Sequence, residues 1–310
     1  MLHTDGGGGT PLRVHAGIVT FEPDVDILRK NIDAIAPQVE RVVIYDNGSA
    51  NLADITEICQ SHDTVELLDG RANVGIATAL NAILARVADL GADWVVTLDQ
   101  DSVSSPEMVS GLATYADPGV GMVTPFIVDR NKMTMTEFAL LAQPPVDVFT
   151  RAASKGAITS GAMTNVDAVK AVGGFADAFF IDYVDYELNR RLLDAGYAIL
   201  RANAVPLEHE VGKARRTWLV TPRRMVDGRW RWERFYSFGH SEGRCYYKAR
   251  NRVLYTRLHW RSTWRVNEGV WQLPQQLLLI LLFEESRFAK AREFLRGVGA
   301  GLRHRFHASP

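Results

Sequence analysis

From residue 13 to residue 124, short apolar runs alternate with segments whose apolar positions recur every three or four residues. Val14 to Thr20 is largely apolar and stops at Glu22-Pro23, which predicts a buried strand. Asp24 opens an amphipathic helix through Ala36, ended by Pro37. Arg41 to Tyr45 reads as a second strand, closed by the turn residues Asp46-Asn47-Gly48. A helix over 51–59, a strand over 64–68, a helix over 75–90, a strand over 93–98, a helix over 105–116 and a strand over 119–124 continue the rhythm. Such alternation predicts an α/β protein with a mostly parallel sheet flanked by helices.

Beyond residue 125 the pattern becomes irregular. It predicts a helix over 184–195 and strands near 197–201 and 204–209. An Arg/Trp-rich stretch follows Pro222, and then come helices near 242–260, 270–284 and 286–304. We expect a flexible tail over 1–12, an α/β domain over 13–210 and a basic, helical C-terminal appendage over 211–310.

Ligands of such sheets bind beyond the carboxyl ends of the strands. The residues there are Thr20-Phe21-Glu22, Asp46-Asn47-Gly48-Ser49, Asp69-Gly70-Arg71 and Asp99-Gln100-Asp101. Three of these four ends carry Asp, a residue also common at turns and helix caps.

Charge divides the chain. Residues 210–310 hold 21 Lys/Arg against 8 Asp/Glu, a balance of +13, while residues 1–209 hold the other 14 basic and 28 acidic residues. A basic tail on an acidic body points to an anionic partner, such as an anionic membrane surface or a lipid diphosphate. No nucleic-acid-binding motif is present, so no nucleic acid is expected. The longest apolar run, Leu277 to Phe283, falls far short of the roughly 20 residues that span a bilayer. Cys59 and Cys245 form neither a disulfide framework nor a zinc pattern, and the glycine-rich start lacks signal-peptide regions. A cytoplasmic protein, peripheral at the inner face of the cell membrane, fits these features, and a homo-oligomer stays open.

Asp99 and Asp101 follow an apolar strand at i and i+2, so both carboxylates can face one site if the chain turns there. Mg²⁺ or Mn²⁺ takes such hard oxygen ligands and shares its shell with substrate phosphates. Asp99 as a helix cap is the structural alternative. The string also fits the Asp-x-Asp motif of haloacid-dehalogenase-like phosphatases, which normally follows a domain's first strand rather than its fourth. A nucleotidyltransferase would want a glycine-rich basic loop after the first strand, which Thr20 to Asp24 is not. In Phe180-Ile-Asp182-Tyr-Val-Asp185-Tyr-Glu187, Val184, Leu188, Leu192 and Ala195 share a helical face expected in the core. Asp182 fits a helix cap, Glu187 an i,i+4 pair with Arg191, and Asp185 lies off the apolar face in the first turn.

Together these segments resemble the family 2 glycosyltransferases over residues 13 to about 210. The resemblance implies a GT-A fold, a Rossmann-like α/β sheet. In it Ala16 to Phe21, Ile44 to Ser49 and Asn73 to Asn81 line a nucleotide-sugar pocket, and Asp99-Gln100-Asp101 takes the place of the family's Asp-x-Asp. Thr20, Phe21, Glu22, Asp46, Asn47, Arg71, Asn73, Asp99 and Gln100 would then face the donor. Ser160-Gly161 resembles the acceptor-side loop, and Asp182 joins that side. Asp185 matches the catalytic base, although Val184 stands where the family usually has Glu, so Asp182 stays open as an alternative. His209 matches a third metal ligand beside Asp99 and Asp101. Asp-Gln-Asp-Ser, the Phe180 to Asp185 string and Tyr246-Tyr247-Lys-Ala-Arg250-Asn251 are similar to bacterial rhamnosyltransferases. They imply dTDP-L-rhamnose as donor and a glycan or lipid-linked oligosaccharide as acceptor, with Tyr247, Arg250 and Asn251 beside it. A UDP-hexose donor or a non-catalytic glycan-binding homologue are the remaining alternatives.

Overall fold

A computed structural model describes residues 11–129, 133–153, 157–209, 215–224, 230–237, 239–263 and 268–306. They fall into two compact units, one of residues up to 180 with 184–209, the other of 181–183 with the residues after 209.

The first unit begins with β1 (Val14–Thr20) and α1 (Val25–Ile35). The Asp24 carboxylate caps α1 by accepting from the Asp26 and Ile27 amides, which would otherwise lack partners. Leu28, Asn31, Ile32 and Ile35, at the i, i+3, i+4, i+7 spacing of one face, are all buried. Next come β2 (Val42–Asp46), α2 (Leu52–Gln60), β3 (Val65–Asp69), α3 (Ile76–Asp89), β4 (Trp94–Asp99) and α4 (Met108–Ala113). Then β5 (Val120–Asp129), α5 (Met135–Ala139), β6 (Val146–Phe149), β7 (Met163–Asn165), α6 (Val166–Ala171), α7 (Val184–Asp194) and β8 (Ala198–His209) complete it.

Eight strands form one sheet in the order β3-β2-β1-β4-β7-β5-β8-β6. The pairs β3-β2, β2-β1, β1-β4 and β5-β8 are parallel, whereas β7 runs antiparallel to β4 and β5, and β6 to β8. After β3 the chain crosses back to lay β4 on the other side of β1. That reversal leaves a crevice at the carboxyl ends of β1 and β4. The core centres on Ile18, Ile32, Ile44, Ile58, Val96, Met108, Leu112 and Leu207, each side chain of this size contributing about 1.5–3 kcal/mol on burial. Gly17 lets α3 close on β1, since a Cβ there would stand 2.5 Å from Ile83 Cγ2.

Four expectations for the first unit needed revision. The segments 197–201 and 204–209 are one strand, β8, in which Pro125 pairs with Ala202 but Phe126 with Pro206, so Asn203 to Val205 bulge out. The helix expected over 105–116 is only α4, and the strand expected to end at Thr124 runs on to Asp129. Ala195 is exposed, although Val184, Leu188 and Leu192 are buried as expected.

The second unit is not wholly helical. The Arg/Trp-rich stretch forms an antiparallel pair, β9 (Arg215–Arg224) with β10 (Trp230–Ser237). Behind it in sequence come α8 (Glu242–Leu258), α9 (Trp260–Thr263), α10 (Leu273–Phe283) and α11 (Arg287–Arg303). Helices α8 and α11 pack tightly, because a Cβ at Gly297 would meet the Tyr246 carbonyl group and one at Gly301 that of Arg250. Cys59 in the first unit and Cys245 in the second are both buried free thiols.

Candidate active site

Strand register lines up the carboxyl edge. Thr20 pairs with Asp46, Asp46 with Asp69, and Val19 with Asp99. Asp46 is fully buried. Its Oδ1 accepts from Thr20 Oγ1 (3.0 Å) and Ser49 Oγ (2.6 Å), and its Oδ2 from the amides of Gly48 (3.0 Å) and Ser49 (2.8 Å). Four bonds fill the capacity of a carboxylate. Asp46, expected to face the donor, holds the Asn47–Ser49 turn through these bonds. Gly48 is required in that turn, with φ +83° and a hypothetical Cβ 2.7 Å from Ala72 Cα.

Asn47 extends the brace: its Nδ2 donates to Asn73 Oδ1 (3.1 Å) and its Oδ1 accepts from the Val74 amide (2.8 Å). The Asn73–Gly75 segment is thereby aligned at the start of α3, where the Ile76 amide donates to the Phe180 carbonyl (2.7 Å). Glu22 is exposed, and its Oε1 accepts from the Ala50 amide (2.9 Å). Arg71 is also exposed, 4.0 Å from Asp69 Oδ2. Both residues have positive φ, +48° and +59°, so two strand-end loops hold non-glycine residues in the left-handed region.

Across the crevice, Gln100 Oε1 accepts from the Phe21 amide (2.8 Å) and Gln100 Nε2 donates to the Phe21 carbonyl (3.3 Å). The Asp99 carbonyl accepts from Asn31 Nδ2 (2.8 Å), and the Asp99 amide donates to Ser160 Oγ (3.4 Å). Ser160 is itself buried and bonded to Ser102 Oγ (3.0 Å), so this expected acceptor-side hydroxyl serves the Asp99 turn. Gly161 follows at φ +75° with its amide on the Thr97 carbonyl (2.7 Å). Asn31 escaped the sequence reading. Its signal was a polar residue on the otherwise apolar face of α1, and its fully buried amide reaches Asp99.

Asp99 is half-buried and Asp101 exposed. Two carboxylate donors at the sheet edge suit a hard divalent cation that completes its shell with water and phosphate oxygens. Among the described residues no group of three or more His, Cys, Asp or Glu side chains forms a metal site. The side chain of His209, the expected third ligand, lies outside the described residues.

Asp185 stands half-buried in the first turn of α7, its Oδ1 accepting from the Tyr186 amide (2.9 Å). Glu187 is buried and pairs with Arg191 at 2.8 and 2.9 Å, the expected i,i+4 contact.

Within the second unit, the Asp182 carboxylate accepts from Arg244 at 3.2 and 3.4 Å. Asp182 and Tyr183 both have left-handed backbone, φ +64° and +68°, a costly arrangement that neighbours must enforce. Asn251 supplies that restraint by donating from Nδ2 to the carbonyls of Ile181 (2.7 Å) and Asp182 (3.1 Å), while Arg250 donates to its Oδ1 (2.9 Å). Asn251, expected beside an acceptor, is fully buried. Tyr247 on α8 is half-buried with its ring 5.1 Å from that of Tyr246.

A parallel β3-β2-β1-β4 core extended by antiparallel strands, with carboxylates at its carboxyl edge, defines a GT-A glycosyltransferase fold. Residues 17–165 match the family described as Glycosyl transferase family 2, and residues 94–289 match Glycosyl transferase family group 2. The chain belongs to the family 2 glycosyltransferases. It is 27% identical over 212 residues to the dTDP-rhamnosyl transferase RfbF of Shigella flexneri, covering 64% of this chain and 69% of that protein. Among solved structures it resembles GalNAc-T7 with UDP, GalNAc and Mn²⁺, at TM-score 0.56 and 13% identity over 93% of this chain. The match spans only 56% of that longer chain. It also resembles S. aureus TarS 1-349, at TM-score 0.53 and 10% identity, over 96% of this chain and 93% of that one. These structural likenesses speak for the fold.

Proposed function

We propose that this chain is an inverting rhamnosyltransferase that moves L-rhamnose from dTDP-L-rhamnose to a lipid-linked glycan acceptor. The observation that carries the donor is the 27% identity to a protein named dTDP-rhamnosyl transferase, on a family 2 scaffold. Asp185 acts as general base: the Tyr186 amide orients its carboxylate through Oδ1, and the carboxylate takes the proton of the attacking acceptor hydroxyl. Attack on the face opposite the diphosphate converts a β-linked donor into an α-rhamnoside. Thr20, Asp46 and Asn47 shape the loops that hold the nucleotide, and Gln100 locks the Phe21 and Asp99 turns together. A divalent cation, Mg²⁺ or Mn²⁺, would be held by Asp99 and Asp101 and would supply neutralising charge to the leaving diphosphate. GalNAc-T7, of the same fold, was solved with Mn²⁺, which supports this reading.

The test is hydrolysis and transfer with dTDP-L-rhamnose, UDP-glucose, UDP-galactose and GDP-mannose, with and without divalent metal. Only the first should turn over efficiently, and only with metal. Faster turnover of a UDP-hexose would return the chain to a different donor class.

A further inference from the structure

The second unit carries an apolar surface that its own fold does not cover. In β9 and β10 the register pairs Pro222 with Trp232 and Val220 with Arg234. Side chains alternate along a strand, so Val220, Pro222, Trp230 and Trp232 share one face of the hairpin, and Trp218 precedes them at the register shift opposite Arg234 to Tyr236. Trp218, Trp230 and Trp232 are 72%, 69% and 74% exposed. Helix α10 continues this surface, since the Trp218 ring lies 5.3 Å from that of Phe283 at its end. Leu277 to Phe283 is apolar on every side, yet none of the residues of α10 is buried, and Leu278 and Leu282 are exposed. An exposed apolar patch of this extent marks an interaction site rather than ordinary surface.

Charge decides the partner. Residues 210–310 carry 21 basic and 8 acidic residues, so a second copy of this unit would be repelled and an anionic surface attracted. Exposed tryptophans beside arginine, here Arg234 on the same hairpin face, are suited to the head-group layer, where an apolar body meets a polar tip. With 11 residues, α10 reaches about 16 Å, half of a bilayer's hydrocarbon core, so it can lie in the interface but not cross it. Among the described residues no helix is long and apolar enough to cross a membrane.

We propose that the Trp218–Trp230–Trp232 surface and α10 dock the second unit onto a phospholipid bilayer bearing anionic head groups. The apolar side chains enter the boundary of head groups and acyl chains, and the surrounding arginines pair with lipid phosphates. This docking is independent of which sugar the enzyme transfers.

The experiment is co-sedimentation of the full chain with vesicles of phosphatidylcholine alone or mixed with phosphatidylglycerol. Two variants are compared, Trp230→Ser with Trp232→Ser, and Leu278→Ser with Leu282→Ser, each checked for unchanged melting. Wild type should bind the mixed vesicles at low salt, release at high salt, and show tryptophan quenching by brominated lipid. Either double variant should bind at least about tenfold more weakly. Equal binding by wild type and both variants, equal binding to neutral vesicles, or no binding at all would overturn the proposal. So would a wild type that ignores vesicles but dimerises through these residues.

Discussion

Phe21 and Gln100 bind each other twice, the Gln100 carboxamide accepting from the Phe21 amide at 2.8 Å and donating to its carbonyl at 3.3 Å. The pair staples the turn after β1 to the turn after β4, so the Phe21 loop and the loop bearing Asp99 and Asp101 are tied together. Gln100→Ala should weaken dTDP binding about tenfold, the equivalent of one to two hydrogen bonds, with little change in melting temperature. Calorimetric titration alongside thermal melting measures both; unchanged affinity would mean that the staple does not order the site.

Asp101→Ala should abolish the metal dependence of donor binding. The loss of metal-assisted dTDP affinity should reach at least the ~10-fold that even outer-shell changes cost a metal site. Calorimetry with and without Mn²⁺ distinguishes this from loss of folding, since metal-free binding should persist in the variant.

Asp185→Asn keeps the shape of the side chain and the bond from the Tyr186 amide but removes the proton acceptor. The variant should melt normally, bind dTDP and metal normally, and transfer sugar at least ~10²-fold more slowly. Asp182→Asn, which weakens only a partly exposed pair with Arg244, should retain transfer and lose less than about 1 kcal/mol of stability. The reverse outcome would make Asp182 the base.

Asn251→Ala strips two donors from the strained Ile181–Tyr183 segment and leaves its carbonyls without those partners. Chemical denaturation should show a loss of about 1–3 kcal/mol. A neutral result would show that other contacts, such as Arg244 on Asp182, hold the segment.

Two histidines set an acid limit. Burial holds His15 in β1 below its ordinary range, partly offset by Glu40 at 3.7 Å. Burial, reinforced by Lys248 at 3.0 Å and by Arg244 against the weaker pull of Asp182 and Glu284, lowers His240 to about 4. The unfolded chain takes up these protons near 6.5 and the folded chain only further down. For His240, between about 6.5 and 4, the unfolded state therefore binds more protons and stability falls as pH falls; His15 acts in the same direction. Melting temperature measured from pH 7 to pH 5 should decline, and His240→Gln should flatten part of that slope.

The strands β1 to β4 were legible in the sequence because each is a short apolar run closed by turn residues at its carboxyl end. Asp46, Asp99 and Asp101 were visible for the same reason. What the sequence hid depends on partners distant along the chain. β7 is three residues long and exists because β4 and β5 flank it. The bulge of β8 split one strand into two apparent ones. The β9–β10 hairpin was masked by arginines and tryptophans that a two-stranded ribbon can leave in solvent. Ser160, Asn47 and Asn251 have the composition of ligand-facing residues, and the partners they bond inside the protein stand 26 to 70 positions away along the chain.

The buried thiols give each unit its own chemical clock. Burial raises Cys59 to about 11 and moves Cys245 in the same direction, so neither is a ready thiolate in the native protein. A thiol reagent can reach Cys59 only when the first unit opens and Cys245 only when the second does. Time-resolved alkylation, read peptide by peptide in a mass spectrometer, would thus time the two openings separately in the unaltered chain.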